Sequence, residues 1–154
     1  LVTPFLADAG LVSTTPSASE SAIVLSAMAL VRERLKYLSD APEALAFLFA
    51  EPAVPPAADM IPKKLDAART VTCLQACSQL LHTVDVHSHE EAEAAFRSKA
   101  DELGCKLGDL LMPLRMAVTG TKVSPPLFES IAVLGVNKAF PRIERAIAVL
   151  KESV

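Results

Sequence analysis

Four prolines between Glu51 and Pro62 divide this chain into two stretches that each carry helical periodicity. Proline has no backbone N–H and clashes with the preceding helical turn, so a helix cannot run through this segment. Closely spaced prolines also make a stiff connector. We therefore predict a first helical subdomain at residues 1–52, a Pro-rich linker at 53–62 and a second helical subdomain at 63–154.

The spacing of apolar residues predicts helices throughout the chain and strands nowhere. Apolar residues recur at intervals of three and four, which places them on one face of each helix. Polar capping residues mark the predicted N-termini of the helices, and glycines mark their C-termini. The predicted starts are the capping boxes Ser17–Glu20 and Ser88–Glu91, the pair Ser124–Pro125, and Asn137. We predict an all-α fold, a bundle or cage of two small helical subdomains.

Charge and length restrict the functional classes. The 154 residues carry 15 basic and 18 acidic side chains, a net charge of −3, which argues against non-specific binding of a polyanion. A single basic face on an acidic protein can still read RNA specifically. The longest apolar run, near Ala22–Val31, is too short to span a bilayer. Because the chain opens on Leu1 and not on Met, we expect a piece of a longer protein.

The sequence contains no arrangement typical of an active site. Its five glycines are spread singly, so no phosphate-binding loop is present. No serine or cysteine has a recognisable base. The acidic run Glu90, Glu91 and Glu93 lies at a predicted helix start, where it complements the helix dipole. We predict no catalytic residue in this chain.

Three cysteines and a histidine-containing loop raise the question of a metal site. Cys73 and Cys77 lie on one helical face, and His82, His87 and His89 follow. Structural zinc sites usually show two tight ligand pairs, which are missing here. We therefore predict that the cysteines are core residues, that the histidines are solvated, and that no metal binds. An odd cysteine count without a signal peptide indicates reduced thiols in a cytoplasm.

Two groups of cations differ in their surroundings. Arg115 follows Pro113, which should kink its helix, and precedes the Thr119-Gly120 turn. Its guanidinium is therefore predicted to lie in an irregular, concave site near Ser124. Arg34 belongs to the cations near the end of the Ser17 helix, and a merely solvated helix face explains those equally well on composition.

Several motifs in this order resemble the C-terminal part of bacterial-type glutamyl-tRNA synthetases. The specific ones are K-x-G-x-x-x-x-P-L-R at Lys106–Arg115, A-x-T-G at Ala117–Gly120 and S-P-P-L-F-E at Ser124–Glu129. Weaker matches are V-L-G at Val133–Gly135, R-I-E-R-A from Arg142, and P-F-L-x-x-x-G-L at Pro4–Leu11. The resemblance covers nearly the whole chain.

The resemblance implies an all-α anticodon-binding region of a class I ligase that joins glutamate to tRNA-Glu with ATP and magnesium. The nucleotide-binding fold and its two signature motifs are absent from this sequence, so we expect the chain alone to bind no cofactor and to be inactive. The implied partners are the anticodon loop of tRNA-Glu and the catalytic domain of the same polypeptide. We expect a cytoplasmic monomer with no membrane association.

The resemblance also assigns site residues. Arg34 corresponds to the arginine that reads the third anticodon nucleotide in tRNA-Glu-selective members, and Arg115 to one that holds the anticodon bases. Ser124, Pro125 and Leu127 match the loop and helix start that contact splayed bases, and the Thr119 methyl group offers further apolar surface. Met112 lies where some relatives have a polar contact residue, although methionine donates no hydrogen bond.

An alternative of a different class is a helical protein–protein interaction module with no RNA role. The apolar half of the composition and the net negative charge favour that alternative.

Overall fold

The computed structural model describes all 154 residues and contains nine α-helices and no strand. The helices are α1 Thr3–Asp8, α2 Ala18–Val31, α3 Ala41–Phe49, α4 Ala57–Met60, α5 Ala67–Thr83, α6 His89–Glu102, α7 Leu107–Thr119, α8 Leu127–Leu134 and α9 Val136–Glu152. A single 3₁₀ turn, Leu38–Asp40, precedes α3. The predicted all-α class is confirmed. None of the helices combines the length and apolar character needed to cross a bilayer.

The start of α2 confirms the first predicted capping box. Ser17 Oγ accepts a hydrogen bond from Glu20 N at 3.2 Å, and Ser17 N donates to Glu20 Oε2 at 2.8 Å. Two otherwise unpaired backbone donors are therefore satisfied at this end. A cap of this kind stabilises a helix by about 1 kcal/mol.

The second predicted capping box is absent although its helix begins where expected, and two other predicted helix starts are wrong. Ser88 precedes α6 but makes no side-chain cap bond, because its backbone is not in the extended conformation that capping requires. Helix α8 begins at Leu127, not at Ser124–Pro125. Asn137 lies inside the first turn of α9, which starts directly after Gly135. Gly135 has φ +93°, and its carbonyl accepts from Lys138 N at 3.1 Å and from Ala139 N at 3.3 Å.

The core centres on α5, α7 and α9, which pack against one another. Their buried stripes include Leu74 and Cys77 on α5, Leu114 on α7, and Ile143 and Leu150 on α9. Burying each large aliphatic side chain contributes about 1.5–3 kcal/mol. Pro113 lies within α7, as predicted, and its ring is buried in this core.

One core cluster continues from this centre into α1, α2 and α3. The proline-rich segment takes part in it, because Met60 of α4 is fully buried and α4 packs on α7 and α9. Helix α2 also packs on α8. The two predicted halves of the chain therefore meet along a continuous apolar contact, and the boundary at 53–62 stays a prediction.

Candidate functional site

Arg115 lies on α7 and fastens the following loop to that helix. Its Nη1 donates to Pro125 O at 3.1 Å, to Ser124 O at 3.4 Å and to Ser124 Oγ. The side chain is half-buried, and its Nε and Nη2 groups have no protein acceptor. Arg115 therefore has both a structural role in the loop and donors free for a ligand.

The electrostatic environment of Arg115 is unfavourable to its own charge. Burial lowers the pKa of Arg115, and the positive charge of Arg34 lowers it further. The guanidinium remains protonated at neutral pH, since an arginine pKa starts above 12. Two like charges are thus held near each other, which favours a ligand that brings negative charge or hydrogen-bond acceptors.

Thr119 and Gly120 end α7 in a fixed turn. The Thr119 hydroxyl donates to Arg115 O at 2.8 Å and accepts from Thr121 N at 3.3 Å, and the side chain is only 4% exposed. Gly120 adopts φ +75°, and a Cβ there would lie 2.8 Å from Pro52 Cβ. The turn is therefore packed against the proline-rich segment, and it sets the direction of the chain towards Ser124.

Arg34 lies in the turn that follows α2. Its backbone N donates to Val31 O at 2.8 Å, while its exposed side chain makes no hydrogen bond and no ion pair. It borders a cavity of about 550 Å³, the central groove, between the α2–α3 connection and the loop 121–125. The polar lining residues of the central groove are Arg34, Lys36, Asp40, Glu43, Thr121, Lys122 and Ser124.

A second cavity of about 440 Å³ lies on the other side of Arg34, between the end of α2 and the start of α8. Its lining includes Arg32, Pro126 and Glu129. Arg34 borders both cavities and therefore forms the ridge between them.

The structure brings together four of the seven residues predicted for the site. Arg34, Ser124 and Pro125 line the central groove. Arg115 does not line it, but it donates a hydrogen bond to Pro125 in the loop that forms one wall. Thr119 lies beneath the loop and faces the protein. The remaining two are not in the groove lining: Leu127 is buried in the core, and Met112 lies half-buried one turn before Arg115.

Sequence reasoning missed a buried arginine that joins the ends of three helices. Arg142 is 4% exposed and donates to Val118 O at 2.7 Å and to Phe47 O at 2.9 Å. Its Nε lies 3.4 Å from Glu51 Oε1, and Arg145 also binds that carboxylate. The ends of α3 and α7 are thereby joined to α9. A signal was present, because residue 142 lies on the same helical stripe as the buried Ala139 and Ala146.

The cysteines and histidines occupy separate places. Cys73 and Cys77 are buried in the core, as predicted, and burial is the main reason that the pKa of Cys73 is raised to about 11. His82 stacks on Phe140 with ring centroids 4.0 Å apart, and His89 Nδ1 lies 3.2 Å from Glu129. No three histidine, cysteine, aspartate or glutamate side chains are placed to hold a metal ion together.

Known proteins resemble this chain over almost all of its length. A family model described as an anticodon binding domain matches residues 1–147. The glutamate–tRNA ligase of Treponema denticola is 48% identical over 134 residues, which are 86% of this chain and 26% of that protein. The Roseiflexus castenholzii glutamate–tRNA ligase is 44% identical over 147 residues, 96% of this chain and 29% of that protein.

A solved structure has the same fold. A glutamate–tRNA ligase from Elizabethkingia meningosepticum, in complex with its amino acid, superimposes with a TM-score of 0.75 at 20% identity. The match covers 97% of this chain and 28% of that structure. The chain therefore spans less than a third of the length of each of these three relatives.

Proposed function

The chain belongs to the anticodon-binding-domain family, and from that premise we propose that it binds the anticodon loop of a tRNA within a glutamate–tRNA ligase. The observation that carries the proposal is that Arg34 lines the central groove while Arg115, from the other half of the chain, holds the Ser124–Pro125 wall of that groove and lies within electrostatic reach of Arg34. Neither guanidinium is neutralised by a carboxylate. A site with unpaired cations and open cavities suits an anionic, acceptor-rich ligand.

Single-stranded RNA offers the negative charge and the hydrogen-bond acceptors that would complement the two arginines. Bases in a loop unstack and present their edges, which proteins read with hydrogen bonds and stacking. An arginine fork donates two parallel hydrogen bonds to a base edge or stacks on a base plane. Val123, 88% exposed at the rim of the central groove, offers apolar surface for such a plane. Lys36 and Lys122 lie where they would meet phosphates.

We assign different roles to the site residues. Arg34 reads the third anticodon nucleotide and makes the domain selective for tRNA-Glu. Arg115 contacts a base with its free donors while it holds Ser124 and Pro125 in the groove wall. Thr119 and Leu127 are buried and Met112 is half-buried, so we assign these three predicted contact residues to the support of the loop.

The reaction of the whole protein belongs to the same proposal. We propose that the longer polypeptide joins glutamate to tRNA-Glu with ATP and magnesium bound in a catalytic domain outside this chain. In that arrangement the chain supplies recognition and no catalytic group. We further propose that the protein acts as a monomer in the cytoplasm.

A titration with an anticodon stem-loop tests the proposal directly. The chain is mixed at one fixed low salt concentration with labelled stem-loops of the tRNA-Glu sequence or of a scrambled loop on the same stem. We expect tighter binding of the tRNA-Glu loop by about tenfold or more, since one base contact contributes about 1–3 kcal/mol. Equal binding of both loops, or binding of neither, would favour the alternative of a protein–protein interaction module.

A further inference from the structure

Glu43 is an exposed residue of α3 that lines the central groove, and it has no partner in the protein. It lies in the first turn of α3, at a position where a glutamate often reaches back to cap the helix. Here Glu43 makes no cap bond, no other hydrogen bond and no ion pair. Its neighbour Asp40, by contrast, accepts from Tyr37 N at 3.4 Å. The Glu43 carboxylate is therefore a free acceptor at the groove.

The central groove is thus lined by hydrogen-bond donors and by a hydrogen-bond acceptor that have no partner in the protein. Arg34 supplies the donors, and Glu43 supplies the acceptor. A carboxylate accepts from the exocyclic amino group of a base, and an arginine donates to ring nitrogen and carbonyl acceptors. Cytosine carries all three groups along one edge. Uracil carries a carbonyl where cytosine has the amino group, and that carbonyl would face the carboxylate.

We infer that Glu43 is a second specificity residue, which selects cytosine over uracil in the groove that Arg34 borders by accepting from the exocyclic amino group that cytosine has and uracil lacks. The inference rests on the proposed function, because it names the base that this groove reads. Glutamate codons begin with guanine, so the third anticodon nucleotide of tRNA-Glu is cytosine. Both pyrimidines offer Arg34 a carbonyl acceptor, and Arg34 tells them apart only at the ring nitrogen, which accepts in cytosine and carries a hydrogen in uracil. The carboxylate adds repulsion against the wrong base, which is how specificity is commonly built.

The test compares stem-loops that differ only in cytosine or uracil at the third anticodon position. Binding is measured by fluorescence anisotropy with the unmutated chain, with Glu43→Gln and with a control, Glu144→Gln. Glu144 is exposed on α9, away from the groove, so the control makes the same charge change elsewhere. Thermal unfolding of each variant establishes that it is folded.

We expect the unmutated chain to prefer the cytosine loop by about tenfold or more. Glu43→Gln should reduce that preference by about threefold or more, because the amide can rotate and donate to the uracil carbonyl. Glu144→Gln should keep the full preference while both affinities rise slightly through the lost negative charge.

Two outcomes overturn the inference alone. They are a preference that Glu43→Gln leaves intact, and binding of the unmutated chain with no preference between the two loops. Failure of the unmutated chain to bind either loop instead overturns the proposed function. The two failures are therefore distinguishable in one experiment.

Discussion

Arg34 lies near enough to Arg115 for its positive charge to lower the pKa of the Arg115 guanidinium. No acidic side chain forms an ion pair with either arginine. A protein selected only for stability has no reason to hold two unneutralised cations together. The arrangement is understandable when a third group, rich in negative charge or acceptors, completes the site.

The first prediction concerns Arg34→Gln, which removes one of these two charges. We expect the unliganded chain to become slightly more stable, by about 0.2–0.5 kcal/mol, because a like-charge repulsion is lost. Binding of the tRNA-Glu stem-loop should weaken by about 1–3 kcal/mol. Urea unfolding and loop titration measure the two effects. Arg97→Gln is the matched control, since Arg97 is exposed on α6 beside Glu93 and lines neither cavity; a similar loss of loop affinity there would argue against a specific role for Arg34.

Arg115→Met tests how much the hydrogen bonds of Arg115 contribute to the stability of the loop and to RNA binding. The substitution leaves the loop without its bonds to Ser124 and Pro125, so we expect a loss of about 1–3 kcal/mol in unfolding free energy and weaker loop binding. Ser124→Ala removes only the hydroxyl and should cost less on both counts. Unchanged stability in Arg115→Met would show that the loop does not depend on this arginine.

Gly120→Ala should be strongly destabilising for two additive reasons. An L-residue in the left-handed region costs about 1–2 kcal/mol, and the new methyl group would meet Pro52 Cβ at 2.8 Å. Overpacking of this kind adds about 1–3 kcal/mol. Gly10→Ala is the control, because Gly10 has φ +73° and nothing within 4 Å of the added Cβ. Equal losses in the two variants, measured by urea unfolding, would exclude the clash with Pro52.

Arg142→Met should destabilise the chain far more than Arg145→Met. Arg142 satisfies the carbonyls of Val118 and Phe47, and each buried carbonyl left unpaired costs about 1–3 kcal/mol, so we expect a total of about 2–6 kcal/mol. Arg145 is half-exposed and binds only Glu51, so its loss should cost less than about 1 kcal/mol. Chemical denaturation measures both. Similar losses would mean that the carbonyl contacts contribute little.

Glu51 should make stability depend on pH in the acidic range. A hydrogen bond from Arg145 is the main cause that lowers the pKa of Glu51 below its ordinary 4.5, with the charge of Arg142 contributing and burial opposing. A depressed pKa stabilises the fold above about pH 4.5, and that stabilisation is lost as pH falls through the folded-state value. The unmutated chain should therefore exceed Glu51→Gln in stability at pH 7, and the difference should shrink towards pH 3. A constant difference across that range would rule out this linkage. The carboxylate side chain is 58% exposed, so the effect should be small.

Local pattern was a good guide wherever the deciding contacts lie within one turn. The Ser17–Glu20 cap, the buried stripe of α5 and the position of Pro113 within α7 follow from short-range spacing, and all three are confirmed. The Ser124 start failed because Pro126 disfavours helical geometry at Pro125, so α8 begins only at Leu127. The Ser124 side chain instead binds Arg115. A side chain that the sequence pattern assigns to a helix end can instead form its hydrogen bonds with a residue of another element.

The sequence by itself determined the helical class, the buried faces and the motif order from which the family was inferred, because these depend on spacing along the chain. Only the tertiary structure decided that Arg34 lies beside Arg115, that Glu43 borders the same groove and that Arg142 joins α3, α7 and α9. Those relationships join residues far apart in the chain. They depend on how the helices pack, and no local periodicity specifies the position of one helix end relative to another.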